Sequence, residues 1–138
     1  AKLAVTDRLR RWLADDFKAA IEFLHGPDRL FHDPDPQVVE RSTATMGAVG
    51  RRVTQRDFLA CHAFDVRERL GEIGVPVLAL VGAYDELTRP AYHEYLAANV
   101  QDGTMGTIEN AAHLAMVEQP TAFNAAIEAF LGRTVRGQ

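Results

Sequence analysis

The chain has 138 residues, 47% hydrophobic and 25% charged, which fits one globular domain and excludes a disordered polymer. A net charge of -4 and a pI near 5.7 give no electrostatic reason to bind nucleic acid or an anionic membrane, and no apolar run approaches the roughly 20 residues that span a bilayer. Cys61 is the single cysteine, so no internal disulfide can form; with Ala1–Val5 too short for a signal-peptide core, a reducing, cytoplasmic setting is the expectation.

From Asp7 to His25 the residues Leu9, Trp12, Leu13, Phe17, Ala20, Ile21 and Leu24 follow a three-four spacing. That predicts one amphipathic helix, capped by Thr6 and stopped by Gly26-Pro27. The loop to Pro36 carries Pro27, Pro34, Asp28, Asp33 and Asp35 and reads as irregular and solvated. A second helix should begin with Asp35 as cap and Pro36 in its first turn. It would bury Val38, Val39, Met46 and Val49 and end near Gly50. Thr54-Gln55-Arg56-Asp57 is a weaker relative of the capping box and nominates a third, with Phe58 and Leu59 following. Asp65 is expected to cap a short turn over Val66–Leu70. The first 70 residues thus offer helices and no strand.

Beyond Gly71 the pattern changes. Val77-Leu78-Ala79-Leu80-Val81 and Thr104-Met105-Gly106-Thr107-Ile108 read as strands, with a predicted strand over 75–82 and another over 104–108. A helix over 90–100 opens at Pro90 and should bury Tyr92, Tyr95, Leu96 and Val100. The last helix, over 120–131, opens at Pro120 and should bury Phe123, Ala126, Ile127 and Phe130 before Gly132. Strand, helix, strand in that order is a right-handed parallel βαβ unit. Both following loops then leave the carboxyl edge of the sheet, where open α/β sheets place ligands. The first strand is apolar at every position, as in strands buried on both faces of a larger parallel sheet. Two strands do not make a stable sheet, so further strands are expected from outside this sequence.

The first of those loops carries Asp85 and the second His113. A carboxylate can fix the tautomer of an imidazole that relays a proton, so the two residue types at adjacent strand ends suit acid–base work. Each also has a plainer reading: Asp85 as a turn former, His113 as a buried histidine with its bonds satisfied. The aromatic residues Trp12, Phe23, Phe31 and Phe58 could line a pocket or simply fill the core. His25, Asp28, His32, Asp33 and Asp35 fit no established metal spacing, and turn and cap chemistry accounts for the aspartates. No cofactor or metal is expected.

The run from Val75 to Thr88, ending Gly82-Ala83-Tyr84-Asp85-Glu86-Leu87-Thr88, resembles the acid-bearing segment of the α/β-hydrolase superfamily. Ala111-Ala112-His113-Leu114-Ala115-Met116-Val117-Glu118-Gln119-Pro120 resembles its histidine loop and the start of its last helix. Within that superfamily the likeness is nearest to lactonases and esterases of the 3-oxoadipate enol-lactonase kind, and it covers Asp65 to Leu131. The resemblance implies the C-terminal portion of an α/β-hydrolase fold, residues 71–138, preceded by an all-helical cap over 1–70. It implies Asp85 and His113 as the catalytic acid and histidine, with Trp12, Phe23, Phe31 and Phe58 as substrate-binding candidates.

No Gly-x-Ser-x-Gly elbow is present: Ser42 is the one serine and lies mid-helix, and Cys61 sits in Ala-Cys-His-Ala. The resemblance therefore implies a partner, an N-terminal half carrying the nucleophile elbow and oxyanion hole, without which an ester or lactone should not be turned over. Two alternatives stay open. One is a non-catalytic homo-oligomeric interaction module that keeps a relic of the signature. The other is the same fold with an aspartate nucleophile, as in dehalogenases and epoxide hydrolases.

Overall fold

A computed structural model describes residues 5–136. Of Ala1–Val5, judged above too short for a signal-peptide core, residues 1–4 lie outside the described residues. These fall into two compact units. One takes the chain up to Pro27 and again from Pro34 to Asp65; the other takes Asp28–Asp33 and the chain from Val66 onward.

The first unit is all helical. Thr6 accepts the Leu9 N–H at 3.3 Å and starts α1, Asp7–Asp15. The single helix expected over Asp7–His25 is in fact two, because Asp16 leaves helical geometry (φ -137°, ψ 80°) and opens α2, Phe17–Leu24. The Asp16 carboxylate accepts the Ala19 N–H at 3.1 Å, so an aspartate inside an unbroken apolar period acts as a second cap. Leu9, Leu13, Ala20, Ile21 and Leu24 are buried, as the three-four spacing requires. Helix α3, Pro36–Val49, begins with the Asp35 carboxylate accepting the Gln37 N–H at 2.8 Å. Val49 is 49% exposed rather than buried.

Gly50 then adopts φ +83°, and α4, Arg51–Ala63, restarts at once. Only glycine takes that backbone cheaply, and it lets the chain turn sharply between two helices. Thr54 is consequently not a helix start. It lies one turn inside α4, buried, with its hydroxyl donating to the Gly50 carbonyl at 3.1 Å.

In the second unit, a short 3₁₀ turn over Arg67–Glu72, with Val66 at its cap position, leads to β1, Val77–Gly82. Helix α5, Pro90–Asn99, crosses to β2, Gly103–Ile108, and the strands pair in parallel with Val77 opposite Gly103 and Gly82 opposite Ile108. Gly103 is required where the crossover closes, since a Cβ there would lie 2.0 Å from the Ala97 carbonyl oxygen. Helix α6, Ala115–Glu118, was not anticipated; it is one turn, followed by α7, Pro120–Arg136. Helix α7 runs through Gly132 instead of stopping before it. Among the described residues Gly50 is the glycine with positive φ, and without that conformation Gly132 terminates nothing. Tyr95 is 39% exposed, whereas Val100 is buried. The core joins Ile108, Ala111 and Ala115, with Leu80, Phe123 and Ala126 against them. Among the described residues no helix is long and apolar enough to cross a membrane.

Candidate active site

The two loops that follow β1 and β2 lie side by side. The Ala83 N–H donates to the Ile108 carbonyl and the Tyr84 N–H to the Ala111 carbonyl, both at 3.0 Å. Gly82 makes this approach possible: a Cβ on it would lie 2.1 Å from the Ala112 oxygen and 2.4 Å from the Ala111 oxygen. The backbone of one loop therefore rests directly on the end of the other loop's strand. Asn110, with φ +54°, turns the chain into this position.

Asp85 and His113 meet there. His113 Nδ1 lies 2.9 Å from Asp85 Oδ2. Asp85 is only 3% exposed, and a buried carboxylate needs its lone pairs filled. They are: Oδ1 accepts the Leu87 and Thr88 N–H groups at 2.8 and 2.7 Å, and Oδ2 accepts the Thr88 hydroxyl at 2.7 Å. Burial pushes the Asp85 carboxyl upward, but the hydrogen bonds from His113, from the Thr88 backbone and from the Thr88 hydroxyl outweigh it, and the net result is below the ordinary carboxylate value. Because an ionised carboxylate only accepts, Nδ1 carries the imidazole proton and Nε2 is left with its lone pair. The Thr88 oxygen, 3.1 Å from Nδ1, takes a share of the same proton. An imidazole held this way, 36% exposed at its side chain, can accept a proton at Nε2 while the carboxylate stabilises the resulting cation.

A strap, Asp28–Asp33, reaches across both loops. The Glu86 N–H donates to the Asp28 carbonyl at 2.9 Å, the His113 N–H to the Arg29 carbonyl at 3.0 Å, and the Leu114 N–H to the Leu30 carbonyl at 2.9 Å. The Asp28 carboxylate bonds His32 Nδ1 at 2.6 Å, and the His32 ring stacks on Tyr84 with centroids 3.6 Å apart. Asp28 holds φ +55°, a conformation that aspartate tolerates better than most residues.

The other candidates are dispersed. Trp12 and Phe23 face each other within the first unit, centroids 5.5 Å apart, and Phe58 is half-buried on α4 of that unit. Phe31 is buried in the second unit. The Ser42 hydroxyl donates to His25 Nε2 at 3.0 Å, the other ring nitrogen facing the Ile21 carbonyl at 2.8 Å, and among the described residues no group of three His, Cys, Asp or Glu could hold a metal ion. The sequence pattern gives no role to Thr88 or Glu118; of the strap it singles out Phe31 alone as a binding candidate, and the loop expected to be solvated instead buries Leu30 and Phe31. Thr88 follows Asp85 by three residues, a spacing typical of local caps, and that was the available signal. Nothing in the sequence announces that residues 28–33 return to this site.

No family model matches the chain. It is 33% identical over 103 residues to 3-oxoadipate enol-lactonase 2 of Acinetobacter baylyi, a match covering 75% of this chain and 38% of that protein. It is 29% identical over 119 residues to the pimeloyl-[acyl-carrier protein] methyl ester esterase of Neisseria meningitidis, covering 79% of this chain and 38% of the relative. The solved structure of a thermophilic esterase superposes with a TM-score of 0.85 at 27% identity, over 97% of this chain and 53% of that one. The chain thus spans about two-fifths of the curated relatives' length and about half of the solved structure. Parallel strands with an aspartate and a histidine at their carboxyl ends, and these esterase and lactonase relatives, lead to one conclusion: the chain belongs to the α/β-hydrolase superfamily.

Proposed function

We propose that this chain supplies the acid and the histidine of a hydrolase acting on an ester or lactone bond, with the nucleophile and the oxyanion donors on an N-terminal half outside this sequence. The observation that carries the reading is the buried Asp85 carboxylate, its lone pairs filled, 2.9 Å from His113 Nδ1. In this reading His113 Nε2 takes the proton of a nucleophilic hydroxyl as its oxygen bonds to the acyl carbon. The Nε2 proton then passes to the leaving alkoxide as the acyl–oxygen bond breaks. Water repeats the sequence on the acyl-enzyme and releases the acid. Residues 1–70 serve as a cap and 71–138 as the C-terminal part of the core, with Trp12, Phe23, Phe31 and Phe58 contributing to the substrate pocket. The exposed thiol of Cys61 fits a reducing compartment, so the proposal sets the reaction in the cytoplasm.

A second reading, the homo-oligomeric interaction module, draws on one observation: among the described residues no third strand joins β1 and β2. The two separate in one experiment. The chain is isolated from its native source, and the accompanying polypeptide is identified by mass. It is then assayed on ester, lactone and haloalkane substrates beside His113→Ala. We expect a polypeptide segment bearing Gly-x-Ser-x-Gly, ester or lactone hydrolysis, and a loss of at least about 10³-fold in kcat in the variant. Haloalkane turnover would substitute an aspartate nucleophile; a symmetric dimer of this chain alone without hydrolysis would favour the module.

A further inference from the structure

One carboxylate on α6 ties together the two segments that hold His113. Glu118 Oε1 accepts the His32 N–H at 2.8 Å and the Asp33 N–H at 3.1 Å, while Oε2 accepts the Ala112 N–H at 2.7 Å. Ala112 directly precedes His113. The His113 and Leu114 N–H groups in turn hang from the Arg29 and Leu30 carbonyls of the strap. The connections form a closed ring: Glu118 to His32 and Asp33, along the strap to Arg29 and Leu30, across to His113 and Leu114, and back through Ala112. Neither loop nor strap belongs to a helix or strand, and beyond an isolated bridge at Phe31 no backbone ladder fixes them among the described residues. The Glu118 carboxylate is the one group that both ends of the ring share.

We propose that Glu118 is a positioning residue: by clasping the strap and the histidine loop together it sets the height of the His113 imidazole against Asp85. The proposal rests on the hydrolase reading for its catalytic consequence, but not for its structural one. A neutral glutamine has one acceptor oxygen and an NH2 group that can only donate. Glu118→Gln therefore keeps the shape and must leave one side of the clasp untied. A histidine displaced by about 1 Å costs roughly 10²-fold in rate without weakening substrate binding.

The test uses the chain as isolated, with its accompanying polypeptide. Deuterium exchange should rise about ten-fold or more in both 28–33 and 111–114 on Glu118→Gln, and stay within about two-fold in β1. In the hydrolysis assay kcat should fall about 10- to 100-fold with KM within about two-fold, and the acid limb of the pH–rate profile should move. Val100→Ala, a core truncation in the same unit, should lower the melting temperature and leave that limb in place. Glu118→Asp, charged but one methylene shorter, should again loosen one side. Should neither Glu118 variant fold, the unaltered chain still decides. A shared clasp requires 28–33 and 111–114 to exchange together, and protection differing by more than about ten-fold between them overturns it. Faster exchange confined to the strap, or unchanged kcat in a loosened variant, overturns it as well. If His113→Ala retains activity, the hydrolase reading fails and the exchange arms alone judge the clasp.

Discussion

Asp85 shows how much of a site is a matter of counting lone pairs. Its two oxygens receive two backbone N–H groups, a hydroxyl and an imidazole N–H, in a place almost closed to water. Asp85→Asn replaces one acceptor oxygen with a donor, so at least one of those groups loses its partner. A stranded buried donor costs about 1–3 kcal/mol, and that is the expected loss of unfolding free energy at neutral pH. The pH dependence follows from the sign of the shift. The folded-state pKa is lowered, so the carboxylate contributes stability in full above the unfolded-state value near 3.8 and loses it as pH falls through the lower, folded value. Urea unfolding of the chain with its accompanying polypeptide, and of the same assembly carrying the Asn variant, should accordingly differ at pH 7 and converge in acid; a gap that widens in acid would contradict the assignment. The pair itself was legible in the sequence because strand ends and loop residues can be read from periodicity. Thr88 was not, since a hydroxyl three residues from a carboxylate is equally at home in any turn. Glu118 was less legible still: its partner His32 is 86 positions away, and only the folded chain brings them together.

At the level of the elements, the sequence pattern marks both strands and the longer helices but misses α6 and several joints, and the reasons are local. Asp16 keeps the apolar period intact on both sides, so the spacing alone predicts one helix, whereas its carboxylate prefers to cap the second. Glycines divide in the same way. Gly50 turns the chain with positive φ, Gly132 merely rides inside α7, and the letter is identical in both. Gly82 is a third kind, a clearance for the loop that carries His113. Substitution by alanine should therefore have opposite outcomes. Gly82→Ala drives a Cβ into two carbonyl oxygens that belong to backbone and cannot swing aside. It should cost about 1–3 kcal/mol or more and displace the His113 loop, and under the proposed function it should lower turnover about 10²-fold. Gly132→Ala meets nothing within 4 Å and should stabilise α7 by up to about 1 kcal/mol. Melting temperatures of the two variants, measured side by side, check the contrast; a harmless Gly82→Ala would mean that the loops do not lie as close as described.

For the whole molecule the informative feature is an edge. In the parallel register, the Val77 N–H donates to the Asp102 carbonyl and the Ala83 N–H to the Ile108 carbonyl, so odd-numbered residues of β1 face β2. The N–H and C=O groups of Leu78 and Leu80 consequently point the other way, where among the described residues no strand receives them. A strand apolar at every position, with one edge open, is a template for pairing. Two-stranded sheets are marginal alone, and Val75, Met116, Val117 and Leu131 add apolar surface that is 44–64% exposed. The 15.2 kDa chain prepared alone should therefore associate or precipitate, sedimenting well above its monomer mass. Mixed with a polypeptide that contributes parallel strands beside β1, it should instead give a defined complex in which the Leu78 and Leu80 amides become protected from exchange. A chain that sediments alone at monomer mass, with one sharp unfolding transition, would show that this edge needs no partner. The hydrolase proposal would then have to find its nucleophile somewhere other than along β1.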